Sequence, residues 1–326
     1  MTRISLEEIA ERFPQERRIL VASHENPDGD ALGCVAAVAL MAERLGIEVD
    51  AFIPGEGSFP PEYSFLPGLD RVSRGGLPEV GPETTVYVLD CATAGRLDEA
   101  GLTCAGVCLN LDHHQDNTRF GTHNHIDPTA ASTTELLYRI FRLAGLPVDA
   151  DVATALYVGL VTDTGRFQYG NTTPAAHRIA AELQEAGVDV NAVYRQIYES
   201  VPLAKVLLMG RAYSRLMLRL GGRLAVSWLE AKDFEEVGAD ESFTEGIIDG
   251  LRSIEGVRVA ALVREQRRNG KVSYKGSLRS TDGSVDVASI AHIFGGGGHV
   301  QAAGFSSEEE LDRILARIEK EAGARL

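Results

Sequence analysis

Val21-Ala-Ser-His24-Glu-Asn-Pro-Asp28-Gly-Asp30-Ala-Leu-Gly33 joins a predicted strand to a predicted helix. Residues 18–23 form a short apolar run, partly β-branched, that predicts a buried strand, and the alanine-rich residues 31–42 predict a helix packed on a sheet. Open α/β sheets place their ligand sites at the carboxyl ends of strands. The histidine and the two aspartates are therefore candidate site residues, although the aspartates could serve only as helix caps.

The same side-chain chemistry recurs further along the chain. The buried run 84–90 ends on an aspartate, and the run 106–111 is followed by Asp112-His113-His114. Two predicted helices, 130–144 and 151–161, come next, and another aspartate follows the second. Strands that alternate with helices predict an α/β fold with a doubly wound, mostly parallel sheet and right-handed crossovers.

Six of these side chains form a candidate set of metal ligands: His24, Asp28, Asp30, Asp90, His113 and Asp163. Any one of them alone is commonly a cap, a loop residue or a surface residue, so the inference rests on their recurrence at successive element ends. Carboxylate oxygen dominates the set and no thiolate is needed. This favours a pair of divalent ions, Mn2+ or Mg2+, over one zinc, and the imidazoles favour Mn2+.

The second part of the chain predicts a smaller α/β domain on a mixed sheet. Strands are expected at 223–229, 257–264 and 272–279, and helices at 205–220, 243–252 and 285–294. The resulting organisation is a catalytic metal-binding domain over 1–190, a helical linker over 191–215 and a substrate-binding domain over 216–326. Gly295 to Gly298 precede His299; as a turn they would expose successive backbone N–H groups to an anion, although such a run is often only a flexible connection.

Charge differs between the two parts. The formal net charge is −15, and residues 1–190 carry all of it, with 28 Asp and Glu against 13 Arg. Residues 252–279 instead carry eight basic side chains against two acidic ones. This pattern favours a metal-binding part and an anion-binding part, the alternative being basic side chains that only solvate a hairpin. A long nucleic-acid duplex is disfavoured, because it needs a broad basic surface.

The sequence also indicates a cytoplasmic location. Residues 1–13 predict a short amphipathic surface helix without the apolar core of a signal peptide, and no apolar run is long enough to span a bilayer. The four cysteines, Cys34, Cys91, Cys104 and Cys108, contain no CxxC pair, so we expect reduced thiols. A zinc site at Cys104 and Cys108 is the weaker alternative.

Taken in order, the N-terminal motifs resemble those of a known family. His24-x-x-x-Asp28-x-Asp30, Asp90, Asp112-His113-His114 and Asp163 are similar to the successive motifs of the DHH phosphoesterase superfamily. Asn124-x-x-Asp127-Pro128 and Thr162-Asp-Thr-Gly-Arg-Phe167 are similar to those of bacterial nanoRNases that also dephosphorylate 3′-phosphoadenosine 5′-phosphate.

The C-terminal motifs extend this resemblance. Gly276-Ser-Leu-Arg279-Ser280 and Phe294-Gly-Gly-Gly-Gly-His299 resemble the DHH-associated C-terminal domain, whose glycine motif also resembles the tail of alanyl-tRNA synthetases. The motif therefore indicates nucleotide contact more than any one reaction.

The resemblance implies a role for each candidate residue. The metal ligands would divide into His24 and Asp28 on one ion, Asp30, His113 and Asp163 on the other, and Asp90 bridging both. Asp112 would orient a neighbouring ligand. His114 would face the scissile phosphate, as a catalytic and substrate-binding residue. Further contacts to substrate would come from Arg279, Ser280, Gly296, Gly297, Gly298 and His299.

The implied activity is hydrolysis of very short single-stranded RNA or of a nucleotide bisphosphate, in a cleft between the two domains. A cyclic or linear dinucleotide is an alternative substrate, and pyrophosphate is disfavoured because the glycine-rich tail differs from that of the pyrophosphatases. A catalytically silent nucleotide-sensing module is the alternative of a different class. No proposed ligand is missing, which favours the enzyme, and a homodimer is left open.

Overall fold

The protein was analysed as a computed structural model, which describes residues 2–76, 78, 80, 81, 83–97, 107–239, 241–244, 246–268 and 271–326. The chain divides into two units, Met1–Ser200 and Val201–Leu326. Among the described residues, no helix has both the length and the hydrophobicity to cross a lipid bilayer. Cys104 of the alternative zinc site lies outside the described residues, whereas Cys34, Cys91 and Cys108 are buried free thiols.

The first unit is built on a parallel sheet, which confirms the prediction. Its strands are β1 Thr2–Arg3, β2 Arg18–Ala22, β3 Glu48–Pro54, β4 Val72–Gly75, β5 Thr85–Leu89, β6 Val107–Asp112 and β7 His123–Ile126. They lie in the order β1-β7-β6-β5-β2-β3-β4, and every pairing is parallel. The strand order changes direction between β2 and β5, which is the position where open α/β sheets bind ligands.

Helices pack against this sheet. They are α1 Leu6–Arg12, α2 Gly29–Leu45, α3 Thr133–Leu143, α4 Ala150–Asp163, α5 Pro174–Glu185 and α6 Val190–Tyr194, which runs into a π-helical turn, Arg195–Glu199. Helix α2 is buried from Gly29 to Ala42, because its small side chains let neighbouring elements approach closely.

The second unit is built on a mixed sheet with helices, again as predicted. Its strands are β8 Met217–Arg219, β9 Leu224–Leu229, β10 Val259–Arg268, β11 Lys271–Ser280, β12 Gly297–His299 and β13 Ala302–Ser307. They lie in the order β12-β13-β11-β10-β9-β8, and only β9 and β10 are parallel. The helices are α7 Leu203–Ser214, α8 Ala231–Val237, α9 Ile247–Arg252, α10 Val287–His292 and α11 Leu311–Gly323.

Several predicted boundaries are wrong. The helix expected over 205–220 ends at Ser214, because residues 217–219 pair with β9 as strand β8. The helix expected over 243–252 begins only at Ile247, after Gly246 in the left-handed region with φ of 83°. The N-terminal helix begins at Leu6, since Ser5 caps it and residues 2–3 join the sheet.

Candidate metal centre

The candidate ligands of the first unit follow strand and helix ends. His24 comes two residues after β2, and Asp90 directly follows β5. Asp163 is the last residue of α4. Asp28 does cap α2, since one of its oxygens accepts hydrogen bonds from the backbone N–H groups of Asp30 and Ala31, both at 3.1 Å. Asp28 therefore caps the helix with one carboxylate oxygen, and it also belongs to a group of candidate ligands, so capping and metal binding do not exclude one another.

The fold gathers the six side chains into two groups of three. His24, Asp28 and Asp90 form one group, and Asp30, His113 and Asp163 form the other, with the ligand atoms of each group within 4.8 Å of one another.

Asp90 faces both groups. One of its carboxylate oxygens lies 3.7 Å from Nε2 of His24, and the other lies 3.6 Å from Nε2 of His113. This is the arrangement expected of a carboxylate between two cations.

The donor atoms fit divalent cations. His113 Nε2 and Asp163 Oδ2 lie 3.3 Å apart, and both are buried without a hydrogen-bond partner among the described residues. Buried polar atoms are almost always satisfied, so an orphaned pair indicates a missing partner such as an ion. Four carboxylates and two imidazoles are ligands that Mn2+ and Mg2+ accept.

The electrostatics of the centre favour a cation as well. Burial, together with the charges of Asp90 and Asp28, raises the pKa of Asp163 to about 8. Burial and the neighbouring carboxylates also raise the pKa of Asp30 well above its ordinary value. Burial alone would raise the pKa of Asp90, but the three surrounding histidines hold it below its usual range. Positive charge from bound ions would offset the repulsion among these carboxylates.

Helix α3 holds two of the ligands in place. Its first N–H groups point at Asp30: the backbone N–H of Thr133 donates at 2.7 Å and that of Thr134 at 3.1 Å. The Thr134 hydroxyl donates to the same carboxylate at 2.7 Å, and the Thr133 hydroxyl donates to Asp90 at 3.0 Å. A helix N-terminus stabilises a carboxylate through these free donors and its dipole.

Asp112 lies beside the centre and holds His114. It is fully buried and accepts hydrogen bonds from the backbone N–H groups of His113 and His114, at 2.8 and 3.2 Å. Its Oδ1 lies 2.8 Å from Nδ1 of His114, and this bond, with nearby negative charge, raises the pKa of His114 to about 9. Asn117 donates to the other Asp112 oxygen at 2.6 Å. The side chain of His114 is 40% exposed, so a positively charged group faces solvent next to the ligands.

In the second unit, strand register places Arg279 and His299 in one row. Ala302 of β13 pairs with Arg279 of β11 on one side and with His299 of β12 on the other. Residues directly opposite one another on neighbouring strands project from the same face of the sheet. Arg279 and His299 are therefore on one face, separated by two strand spacings, or about 9.5 Å. Ser280 follows Arg279, and its hydroxyl is buried with no partner among the described residues.

The glycine run is not the open turn that the sequence suggests. The N–H groups of Gly295 and Gly296 donate to carbonyls of α10, at 2.9 and 3.0 Å, so they are already satisfied. Gly297 to His299 continue as strand β12. A Cβ at Gly296 would lie 2.2 Å from the carbonyl oxygen of Gly304, which shows that close backbone packing requires glycine there.

Comparison with known proteins decides the family. The model of the DHH family, N-terminal domain, matches residues 18–160, and that of the DHHA1 domain matches residues 221–324. A bifunctional oligoribonuclease and PAP phosphatase NrnA from Thermus thermophilus is 32% identical over 94% of this chain and 90% of its own length. The chain belongs to the DHH phosphoesterase family. It is therefore a phosphodiesterase or phosphatase enzyme.

Two further similarities cover most of this DHH phosphoesterase. The NrnA of Bacillus subtilis is 28% identical over 92% of the chain and 93% of its own length. An exopolyphosphatase-related protein of Bacteroides fragilis shares the fold, with a TM-score of 0.85 over 97% of this chain and 94% of that one, at 23% identity.

Several residues of the DHH phosphoesterase site were not found from the sequence. The sequence does contain a pattern that could have pointed to Thr133 and Thr134, because Ser132 and Glu135 around them form a helix-start pattern. For Asn117, three residues after His114, the sequence contains no such pattern. Arg96, whose Nη2 lies 2.7 Å from Nδ1 of His24, is brought there by the loop after β5, which no spacing rule predicts.

Proposed function

We propose that this DHH phosphoesterase is a manganese-dependent hydrolase of very short single-stranded RNA that also dephosphorylates 3′-phosphoadenosine 5′-phosphate to AMP. The observation that carries the proposal is the position of Asp90, whose two oxygens face one histidine of each ligand group. The names of the NrnA relatives support the choice of substrates.

Two ions would be held by the six ligands. His24 and Asp28 would bind one ion, Asp30, His113 and Asp163 the other, and Asp90 both. The two imidazoles favour Mn2+, with Mg2+ as a workable substitute. Ions held there would supply Lewis acidity for the attack of water on phosphorus.

His114 acts on the phosphate through its outer nitrogen. Nδ1 is engaged by Asp112, so Nε2 is the atom left to contact a phosphate oxygen. The bond from Asp112 raises the pKa of His114 to about 9 and so favours the protonated form of the ring. The ring can therefore stabilise the charge that develops on the phosphate and give a proton to the leaving oxygen.

The DHHA1 domain supplies further groups that can bind an anion. Arg279 and His299 supply two cationic or hydrogen-bonding groups from one face of the sheet. Ser280, the next residue along β11, is buried and projects from the opposite face, so it can support this strand but cannot reach the same anion. A guanidinium binds phosphate through two parallel N–H bonds. Gly296 and Gly298 let the chain lie close to β13, since a Cβ at either would clash with its backbone. With Gly297 between them in β12, they position His299.

Charge explains a preference for short substrates. Residues 1–190 carry the whole formal charge of −15, so each additional phosphate that extends over this part is repelled. We place the protein in the cytoplasm.

A panel of substrates supplied with manganese tests the proposal. Dinucleotides and 3′-phosphoadenosine 5′-phosphate should be hydrolysed, with efficiency falling as RNA lengthens. Cyclic dinucleotides and pyrophosphate are the comparison arms. Turnover of pyrophosphate alone would overturn the proposal, and nucleotide binding without turnover of any substrate would favour the sensing module.

Two charge-neutralising variants test the metal bridge. Asp90→Asn should abolish hydrolysis and lower bound manganese at both positions, because it removes the charge that the ions share. Asp116→Asn removes one charge from an exposed position nearby and should preserve both activity and metal content. An active Asp90→Asn enzyme at saturating manganese would refute the two-ion assignment.

A further inference from the structure

The segment after Asp163 is a strained turn. Gly165, Arg166 and Phe167 are three consecutive residues in the left-handed region, with φ of 54°, 64° and 62°. Side chains rarely adopt this backbone conformation, and such residues concentrate at ligand-binding sites. Backbone hydrogen bonds hold the turn, since Arg166 N–H donates to Val161 at 2.7 Å and Tyr169 N–H to Thr164 at 3.0 Å.

The turn partly buries one aromatic ring and exposes another. Phe167 points inward and stacks on His177, with ring centroids 5.0 Å apart. Tyr169 points outward and is 54% exposed. Its ring lies against Gly165, because a Cβ at that glycine would be 2.4–2.5 Å from three ring atoms. The Tyr169 ring therefore packs against Gly165 and remains accessible to solvent elsewhere.

Arg166 extends this exposed surface. Its guanidinium lies 5.0 Å from the centre of the Tyr198 ring, and Tyr198 contacts Tyr194 at 5.2 Å between centroids. Tyr198 belongs to the π-helical turn 195–199, an element that is rare and often functional. No carboxylate among the described residues forms an ion pair with Arg166. Arg166, Tyr169, Tyr194 and Tyr198 are called the aromatic platform below.

The platform begins next to the metal centre. Gly165 follows Asp163 by two residues, so their Cα atoms are at most about 7.6 Å apart. The far end of the turn is tied to the same ligand, because Asn171 donates from its side chain to the backbone carbonyl of Asp163 at 3.1 Å. A nucleotide whose phosphate reaches the ligands could therefore place its base over this turn.

We propose that Tyr169 stacks on a nucleobase of the substrate while Arg166 contacts an adjacent phosphate. This rests on the proposed function and adds to it: the platform makes the enzyme select nucleotides over simpler phosphate esters. Every base has a face that stacks on an aromatic ring, so the contact accepts any sequence. A ring already supported by Gly165 loses little conformational freedom on binding.

The test combines Tyr169→Leu with substrates that lack one base. Dinucleotides are compared intact and with either base replaced by hydrogen. Tyr169→Leu should lower kcat/KM on the intact dinucleotide by roughly 5- to 150-fold, the size of one stacking contact. On the dinucleotide without the stacked base, wild type and variant should agree within about twofold. Tyr169→Phe, which keeps the ring, should behave like wild type, and bound manganese should be the same in all three proteins.

A binding measurement separates this proposal from the proposed function. Calorimetry of the full chain with AMP and with ribose 5-phosphate should show a preference for AMP that Tyr169→Leu removes. That result would support the platform even if no dinucleotide were hydrolysed, in which case only the proposed function would fail. If Tyr169→Leu keeps both wild-type kcat/KM and the preference for AMP, Tyr169 is only a solvated surface residue and the platform is refuted.

Discussion

Gly159→Ala should damage the candidate metal centre, although Gly159 is not itself one of the candidate metal ligands. Gly159 lies in α4, where a Cβ would come within 2.5 Å of Asp30 Oδ1, 2.4 Å of Thr134 Cγ2 and 2.6 Å of Thr134 Oγ1. Asp30 and Thr134 are both buried, so neither can move into solvent. The added methyl group must therefore push the carboxylate and the hydroxyl that holds it apart.

The expected loss of stability follows from three effects. Forcing a methyl group into a packed interior costs about 1–3 kcal/mol. Weakening the 2.7 Å bond from the Thr134 hydroxyl to Asp30 removes a charged hydrogen bond, at about 1.5–3 kcal/mol. Replacing glycine by alanine within a helix returns about 1 kcal/mol. The net free energy of unfolding should fall by about 1.5–5 kcal/mol.

Urea unfolding and metal analysis of the same preparations provide the assay. Gly210→Ala is the matched control, since Gly210 lies in α7, is exposed, and its Cβ would meet no atom within 4 Å; it should be neutral or stabilising by up to about 1 kcal/mol. Gly159→Ala should also bind manganese about 10- to 100-fold more weakly, as for loss of a group that supports a ligand.

A second substitution tests the contact itself. Thr134→Ser removes the clashing Cγ2 but keeps the hydroxyl, so adding it to Gly159→Ala should restore part of the lost stability. Unchanged stability and unchanged manganese affinity in Gly159→Ala would refute the reasoning.

Three further outcomes are expected. Asn117→Ala, which removes the 2.6 Å bond to Asp112, should lower kcat about 10- to 100-fold with bound manganese unchanged; unaltered kcat would contradict it. Arg279→Lys should raise KM by about one order of magnitude without changing metal content, because lysine cannot form paired bonds to phosphate. Burial would raise the pKa of Asp233, but Arg215 and Arg211 hold it below its ordinary value of 3.8. The ionised carboxylate therefore stabilises the fold above that pH, and this stabilisation is lost on further acidification. Asp233→Asn should therefore be less stable at neutral pH, with the difference from wild type narrowing below about pH 3.8 in unfolding curves.

The nearness of His24, Asp90 and His113 could be predicted because of one geometric rule, whereas the place of Asp163, at the end of a helix, was implied only by the family resemblance. Carboxyl ends of parallel strands meet at one edge of the sheet, so residues that follow β2, β5 and β6 must lie close together. Their supports could not be predicted in this way. Thr134 bonds to Asp30 across 104 positions in the chain, and such a contact depends on how helices pack rather than on local pattern.

In the DHHA1 domain, the residue types of the glycine run predicted the wrong local structure, because the pairing of strands β12 and β13 decides it. Four successive glycines indicate a flexible turn, yet Gly297 and Gly298 pair with Gly304 and Ala303 in a regular ladder. At Gly298 glycine is needed because another backbone approaches closely, since a Cβ there would lie 2.5 Å from the carbonyl oxygen of Ala302. The same ladder fixes the row of Arg279 and His299.

Backbone strain in the described part of the chain is concentrated beside the candidate ligands. Its non-glycine residues with positive φ are Asn26, Asp90, Arg119, Arg166, Phe167 and Leu220. Asn26 lies between His24 and Asp28, and Asp90 is itself a candidate ligand. Arg119 follows the histidine pair, and its N–H donates to Asn117 at 2.6 Å.

Only Leu220 lies in the second unit. Each strained residue costs about 1–3 kcal/mol and persists only where surrounding contacts enforce it. Five of these six described positions lie within a few residues of a candidate ligand or of Asn117, so most of the positions that break local rules are near the candidate site.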